Sequence, residues 1–226
     1  MANIPERKIN FFQENIIKYY EEYGKQDLPW RKNVPPWQVL VVATFLRKTT
    51  IKQVVPLYDN FFKKYDHPIK IVKASTMDLK QLISPLGLEN IRTDQLKRMA
   101  QQLIEYYNGT VPENFEQLIS LYGVGDYIAS EVMLLGFNKP YALLDRNMIR
   151  VLQRYFGLEI RSKRPHNDKS LWRFAKKIVP IIIKDARNYN LGVLDFAREI
   201  CTARNPKCVS CCLNSQCRYF EEIQAR

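Results

Sequence analysis

The chain has 226 residues, of which 46% are hydrophobic and 26% charged, as in globular rather than disordered proteins. Its 35 Lys and Arg residues against 23 Asp and Glu give a formal charge of +12, which favours nucleic acid first and acidic membrane second as a partner. The longest apolar run, residues 39–46, is too short to span a bilayer, and no signal-peptide core follows the N-terminus. We therefore expect an intracellular protein without a membrane anchor.

Helical periodicity dominates the chain, because apolar residues recur at spacings of three and four and no strand-like alternation of any length occurs. The predicted helices cover, in chain order, residues 9–23, 37–49, 54–62, 88–107, 128–135, 145–155, 169–184 and 186–201. The sequence therefore predicts an all-α protein of about ten helices joined by short loops. No linker stands out, so any two domains are expected to pack closely.

The five cysteines all lie between positions 201 and 217, a cluster too local for the disulfide framework of a secreted protein. Cys201, Cys208, Cys211 and Cys217 have the spacing C-x6-C-x2-C-x5-C, and four thiolates on one loop can hold either zinc or an iron–sulfur cubane. Only one tight pair occurs and the outer loops are wide, which favours the larger iron–sulfur cluster. Cys212 is an extra cysteine, and the cluster could serve only to fold this segment.

A short glycine motif separates two predicted helices at residues 121–125. Gly123, Val124 and Gly125 allow a tight turn and a close approach of the backbone to another surface. The next helix starts near Asp126, and exposed amides at a helix start bind phosphate well. The alternatives are a plain turn between helices, or an Asp126 carboxylate that occupies those amides itself.

Asp145 directly precedes an apolar-periodic helix, twenty residues after Gly125. Its default interpretation is a helix N-cap, in which one carboxylate oxygen accepts hydrogen bonds from the first helical amides. The second oxygen of such a cap can still face a substrate.

These motifs occur in an order that is specific to one family. The L-x-G-V-G hairpin, the Leu144-Asp145 pair and the cysteine spacing together resemble the helix-hairpin-helix DNA glycosylases, the superfamily of endonuclease III and of the adenine and thymine mismatch glycosylases. Further matches fall in the expected order: Leu28-Pro29-Trp30-Arg31, Phe45-Leu46-Arg47-Lys48-Thr49-Thr50, Gly87-Leu88 with Arg92, and Arg150-Val151 with Arg154-Tyr155-Phe156-Gly157. The resemblance covers nearly the whole chain.

The resemblance implies two closely packed helical domains. Residues 30–139 would form a six-helix domain with the hairpin, and residues 1–29 and 140–226 would form a second domain that holds a 4Fe–4S cluster on the four cysteines. It also implies a monomer in the cytoplasm or nucleoid of a prokaryote. The implied partner is double-stranded DNA with a mismatched or damaged base, bound in the cleft between the domains.

The family hydrolyses the N-glycosidic bond of a base flipped out of the duplex, through a transition state with positive charge on the sugar. Asp145 matches the catalytic aspartate, which stabilises that charge and orients or deprotonates water. Tyr127 stands where bifunctional relatives carry a Schiff-base lysine, so no β-lyase activity is expected. Tyrosine there resembles the glycosylases that remove thymine or uracil opposite guanine. Adenine glycosylases usually carry a further C-terminal domain, which we do not expect here.

The remaining matches concern the base pocket and the DNA contacts. Ala43 replaces the glutamate that protonates the purine in adenine excision, which argues against adenine and leaves the base preference open. Trp30 precedes the pocket helix and could line the pocket or belong to the core.

Arg47 matches the residue that relatives insert into the duplex, with Lys48 as a neighbouring phosphate contact. The alternative is a solvated basic pair. The rival functions are excision of another damaged base (an oxidised pyrimidine, hypoxanthine, or adenine opposite 8-oxoguanine) and non-catalytic lesion binding.

Two further arginines, Arg150 and Arg154, lie four residues apart on one predicted helix face. Near the substrate they would extend a track of phosphate contacts. The alternative is an ion pair with Asp145.

Overall fold

The computed structural model describes residues 4–160 and 162–225, and this part of the chain contains no β-strand. Twelve α-helices follow one another in these residues: α1 (Glu6–Tyr23), α2 (Pro36–Phe45), α3 (Ile51–Lys64), α4 (Pro68–Lys73), α5 (Thr76–Ile83), α6 (Glu89–Tyr107), α7 (Phe115–Ser120), α8 (Asp126–Glu131), α9 (Arg146–Phe156), α10 (Lys169–Lys177), α11 (Ile183–Glu199) and α12 (Arg218–Gln224). The all-α prediction is confirmed. None of these helices is long and apolar enough to cross a membrane.

The chain folds into two compact units, one formed by Met1–Lys25 with Pro140–Arg226 and the other by Gln26–Lys139. The sequence-based boundary between residues 29 and 30 differs from the first of these boundaries by four residues.

Helix α2 forms the centre of the unit 26–139, since every residue from Val39 to Phe45 is buried. A helix that is apolar on all sides must be surrounded, and α2 packs against α3, α6, α8 and the π-helical turn Val132–Gly136 that continues α8. Phe45 meets Phe61 of α3 edge-on at 5.0 Å between ring centroids. This packing fixes the end of α2, where the predicted DNA contacts begin.

In the other unit, α1 and α9 both pack against α11. Phe12 of α1 contacts the rings of Tyr155, Phe156 and Tyr189 at centroid distances of 4.8, 5.2 and 6.0 Å. A Cβ on Gly192 would lie 2.8 Å from the Ile16 carbonyl oxygen, so glycine permits the close approach of α1 to α11. The buried face of α1 thereby contacts the last turn of α9, which carries Tyr155 and Phe156.

Two predicted helices end earlier than their periodicity indicates. The predicted helix 169–184 ends at Lys177, because Pro180 falls in its interior and cannot donate a backbone hydrogen bond, and residues 183–184 already belong to α11. The predicted helix 37–49 ends at Phe45, since Lys48 has a left-handed φ of 56° and Thr50 begins α3 in a capping box with Gln53. Both breaks create loops that the periodicity alone conceals.

Candidate functional site

The turn between α7 and α8 carries the glycine motif. Gly123 has a φ of +77°, which glycine adopts without strain, and Val124 is buried while both glycines are exposed. Gly125 is the N-cap of α8, and no side chain caps this helix start.

Helix α6 contacts this hairpin through two glutamine side chains. The buried Gln95 donates from Nε2 to the Gly123 carbonyl oxygen at 3.1 Å, and Gln102 accepts from the Tyr122 amide at 2.6 Å. The Arg98 guanidinium lies 4.7 Å from the centroid of the exposed Tyr122 ring. Sequence reasoning missed Gln95, because a glutamine on a helix belongs to no motif and its contact is made only in the fold.

Arg47 and Lys48 are both exposed in the turn after α2. Arg47 Nη1 lies 3.4 Å from the Gly123 carbonyl oxygen and 3.4 Å from Gln95 Oε1, so the guanidinium rests loosely on the hairpin. The structure thus brings Arg47 together with the glycine turn, although 76 residues separate it from Gly123.

The residues assigned to the base pocket are buried in the unit 26–139. Ala43 and Trp30 are each 3% exposed, and the Trp30 ring lies 5.9 Å from that of Tyr58. Tyr127 is half-buried on α8, which packs directly against α2. Trp30 is therefore part of the aromatic core of its unit, and no open face of its ring is available there for stacking.

Asp145 is the N-cap of α9, which confirms the default interpretation of this residue. Its Oδ1 accepts a hydrogen bond from the Met148 amide at 2.7 Å, and its Oδ2 accepts one from Asn147 Nδ2 at 2.9 Å. The carboxylate is half-buried and held by both oxygens, with the remaining lone pairs available to another group. This rigid, oriented carboxylate is what a charge-stabilising site requires.

A continuous chain of hydrogen bonds leads from this carboxylate to residues 201–217, here called the cysteine loop. Asn147 Oδ1 accepts from Arg150 Nη1 at 3.0 Å, and Arg150 Nε donates to the Cys201 carbonyl oxygen at 2.9 Å. Arg150 Nη2 also donates to the Ala197 carbonyl oxygen at 2.8 Å. Sequence reasoning assigned no role to Asn147, whose contribution depends on both of its neighbours in this chain.

Arg154 holds the same loop one helical turn further on. It donates from Nη1 to the Thr202 carbonyl oxygen at 2.7 Å and from Nη2 to the Ala203 carbonyl oxygen at 3.2 Å. The guanidinium groups of Arg150 and Arg154 are both engaged with backbone carbonyls of residues 197–203, so these hydrogen bonds, and not the expected phosphate track, are what the structure shows for them. The alternative ion pair is also not formed, since Asp145 takes its hydrogen bonds from α9 itself.

The four cysteines of the predicted ligand set line one cavity of about 20 Å³, which Arg154 and Tyr155 also border. Within the described residues, no three Cys, His, Asp or Glu side chains are arranged to hold a single metal ion. Burial raises the pKa of the Cys208 and Cys217 thiols, which a bound cation would reverse. Cys212 is exposed and faces a different groove, beside Tyr19 and Glu199.

Comparison with known proteins agrees with this helical fold. Residues 42–177 match the model of the HhH-GPD superfamily base excision DNA repair proteins, and the chain belongs to this family.

Individual relatives match over nearly their full length. The chain is 49% identical to a thymine/uracil-DNA glycosylase of Pyrobaculum aerophilum, over 93% of this chain and 92% of the relative. It is 44% identical to a thymine-DNA glycosylase of Aeropyrum pernix, over 97% and 99% of the two chains. A solved structure of a thermostable thymine-DNA glycosylase superposes with a TM-score of 0.88 at 36% identity, covering 96% of this chain and 98% of that one.

Proposed function

We propose that this protein is a monofunctional DNA glycosylase that hydrolyses thymine or uracil from mispairs with guanine in duplex DNA. The observation that carries the proposal is the Asp145 carboxylate, fixed through both oxygens at the start of α9 in a chain so similar to thymine and uracil glycosylases.

Asp145 is proposed to act on the sugar of the flipped nucleotide. Excision requires the base to leave the helical stack, because its glycosidic carbon is otherwise out of reach. As the bond breaks, positive charge develops on the sugar, and an oriented carboxylate stabilises that charge without reorganising at the moment of reaction. The same carboxylate can orient or deprotonate the attacking water.

Tyr127 supports hydrolysis without strand cleavage. A β-lyase step needs an amine that forms an imine with the sugar, and a phenol cannot form one. We therefore assign to Tyr127 a place beside the substrate and no nucleophilic role.

The DNA backbone is proposed to bind at the hairpin and the turn after α2. In the turn Gly123, Val124 and Gly125, the two exposed glycines offer backbone amides to a phosphate, while the amide of the buried Val124 donates to the Leu121 carbonyl at 3.1 Å. Lys48 would contact a neighbouring phosphate, while Arg47 would enter the space left by the flipped base. Trp30 and Ala43 would shape the pocket from within the core.

The four cysteines are proposed to hold a 4Fe–4S cluster. Zinc would draw all four sulfurs to about 2.3 Å from one point, which suits two tight cysteine pairs, whereas this sequence has only one such pair. Four cysteines with wide outer loops fit a polynuclear cluster better than a single ion. When bound, the cluster would cross-link the loop 201–217, which otherwise depends on Arg150 and Arg154.

The proposed enzyme works as a monomer on double-stranded DNA, inside a prokaryotic cell. A second candidate is excision of another damaged base, and the observation that favours it is the buried Ala43. An alanine provides no acid to protonate a leaving purine, so adenine opposite 8-oxoguanine is disfavoured within this alternative.

Asp145→Asn tests the catalytic assignment. It keeps the size of the side chain but removes the charge, so single-turnover excision should slow by about 10²–10⁴-fold while affinity for mispaired DNA is retained. Asp168→Asn is the matched control, since Asp168 also caps a helix, α10, by accepting from the Ser170 amide at 2.8 Å. Equal losses in both variants would assign Asp145 a capping role only, and a non-catalytic lesion binder would have no excision to lose.

A further inference from the structure

Arg92 on α6 is a cation buried without a carboxylate partner. It is 6% exposed, and the groups that accept its hydrogen bonds are all neutral oxygens. Burial, and then the nearby Arg47 guanidinium, lower the pKa of Arg92, yet a guanidinium stays protonated in a protein. Burying the Arg92 guanidinium costs desolvation free energy. We therefore infer that the geometry of its hydrogen bonds is needed.

The accepting oxygens come from the last turn of α2, from the loop that follows it and from the turn before α6. Arg92 Nη1 donates to the Thr44 carbonyl at the end of α2 at 2.8 Å, and Nη2 donates to the Arg47 carbonyl at 2.8 Å and to Thr49 Oγ1. From the other side, Nε donates to the Gly87 carbonyl at 2.9 Å. One rigid guanidinium thus ties residues 46–50, here called the wedge loop, to Gly87–Leu88, the α6 turn.

Both loops have unusual backbone conformations at the points that Arg92 holds. Lys48 and Leu88 have left-handed φ angles of 56° and 54°, which non-glycine residues rarely adopt, and Gly87 has a φ of 68°. Leu88 is also 49% exposed, although it is a large apolar residue. A strained backbone conformation of this kind persists only where the surrounding contacts hold it in place.

The backbone of Arg47 is held firmly, whereas its side chain makes only long contacts. Its carbonyl is held by Arg92 at 2.8 Å, whereas its guanidinium makes only two contacts of 3.4 Å, to Gln95 and Gly123. The side chain can therefore leave the hairpin without disturbing the backbone that carries it.

We propose that Arg92 is a positioning residue for base flipping, which holds the wedge loop and the α6 turn as one rigid body while the Arg47 side chain swings into the duplex. This inference rests on the proposed function. Arg92 itself touches neither DNA nor the reacting atoms; it acts through the backbone of Arg47 and Gly87.

Arg92→Lys keeps the positive charge but cannot reach all four oxygens at once. With 2-aminopurine beside a G·T mispair, the fluorescence rise that reports flipping should be about 100-fold slower than with the wild type, as expected for a displacement near 1 Å. Affinity should change little, because the hairpin is intact and Lys48 keeps its charge. If Arg92→Lys does not fold, the same measurement is made on Arg92→Gln.

Lys97→Met is the matched control. Lys97 also lies on α6 and also donates to backbone carbonyls, at 2.7 Å to Ala74 beyond the end of α4, but it does not contact the wedge loop. Lys97→Met should lower thermal stability and leave base flipping at the wild-type rate. Flipping at the wild-type rate in Arg92→Lys, or an equal loss in Lys97→Met, would overturn the proposal.

Amide hydrogen exchange in the DNA-free protein separates this inference from the proposed function. Arg92→Lys should speed exchange in residues 46–50, and unchanged exchange there would overturn the proposal whatever the activity. If the wild type excises no base, the proposed function fails while the exchange result still decides whether Arg92 anchors the loop.

Discussion

At the scale of single residues, Asp145 is constrained more than its N-cap position requires. A cap needs only one oxygen, and here the second is held by Asn147, which Arg150 holds in turn. A side chain that is fixed at both oxygens loses little orientational freedom when charge develops beside it. We therefore expect the orientation of Asp145, and not only its presence, to limit the rate of excision.

Asn147→Ala tests this dependence. The substitution removes the hydrogen bond to Asp145 Oδ2 and leaves the helix cap from Met148 in place. Single-turnover excision should slow by roughly tenfold to a hundredfold, with duplex affinity unchanged. Asn188→Ala is the control, since Asn188 donates to Glu21 on the surface at 3.2 Å. Wild-type excision by Asn147→Ala would show that the second oxygen needs no support.

At the scale of elements, the hairpin offers a matched pair of glycines. A Cβ on Gly123 would lie 2.5 Å from Gln95 at a φ of +77°, whereas Gly125 has an ordinary φ of −115° and nothing within 4 Å. Gly123→Ala should cost about 1–2 kcal/mol of stability. Gly125→Ala should fold normally and lose DNA affinity, because its methyl group faces the space where phosphate would approach.

Urea unfolding and gel-shift titration measure the two effects separately. If Gly125→Ala binds duplex DNA as tightly as the wild type, the turn does not contact the backbone closely. If Gly123→Ala is as stable as the wild type, the left-handed conformation is not a constraint at that position.

The cysteine loop gives a second prediction at this scale. Arg154 donates to two carbonyls of the loop, has Nη1 3.5 Å from Cys201 Sγ, and lies 4.6 Å from the Tyr219 ring centroid. Arg154→Met should therefore lower the iron retained on purification and the melting temperature together. The exposed Arg173→Met on α10 is the control, and full iron content in Arg154→Met would show that the loop folds without this arginine.

Local motifs made part of this architecture predictable from the sequence. The glycine turn and the Asp145 cap were readable because their geometry depends on a few consecutive residues. The partners of Arg150 and Arg154 were not, since they lie 47 to 51 residues away and are set by the packing of α9 against α11. The break at Pro180 was visible in the sequence, but the apolar periodicity on both sides hid it.

At the scale of the whole molecule, the charge of +12 predicts how binding responds to salt. Each phosphate neutralised by a cation steepens the fall of log K with log salt by about 0.9. Lys48→Ala should therefore weaken binding to all duplexes alike and reduce this slope by about one. Lys18→Ala, an equally exposed lysine on α1, should leave the slope unchanged, and a similar slope for Lys48→Ala and wild type would remove Lys48 from the interface.

The most direct test of the central claim is single-turnover excision by the wild-type protein on a panel of duplexes. The panel contains G·T, G·U, A·U, A·8-oxoguanine, hypoxanthine·T and thymine glycol, each analysed with and without hot alkali. We predict release of thymine and uracil opposite guanine, with strand breaks that appear only after alkali, because Tyr127 provides no amine. Breaks without alkali, excision confined to another lesion, or no excision on any duplex would contradict the account.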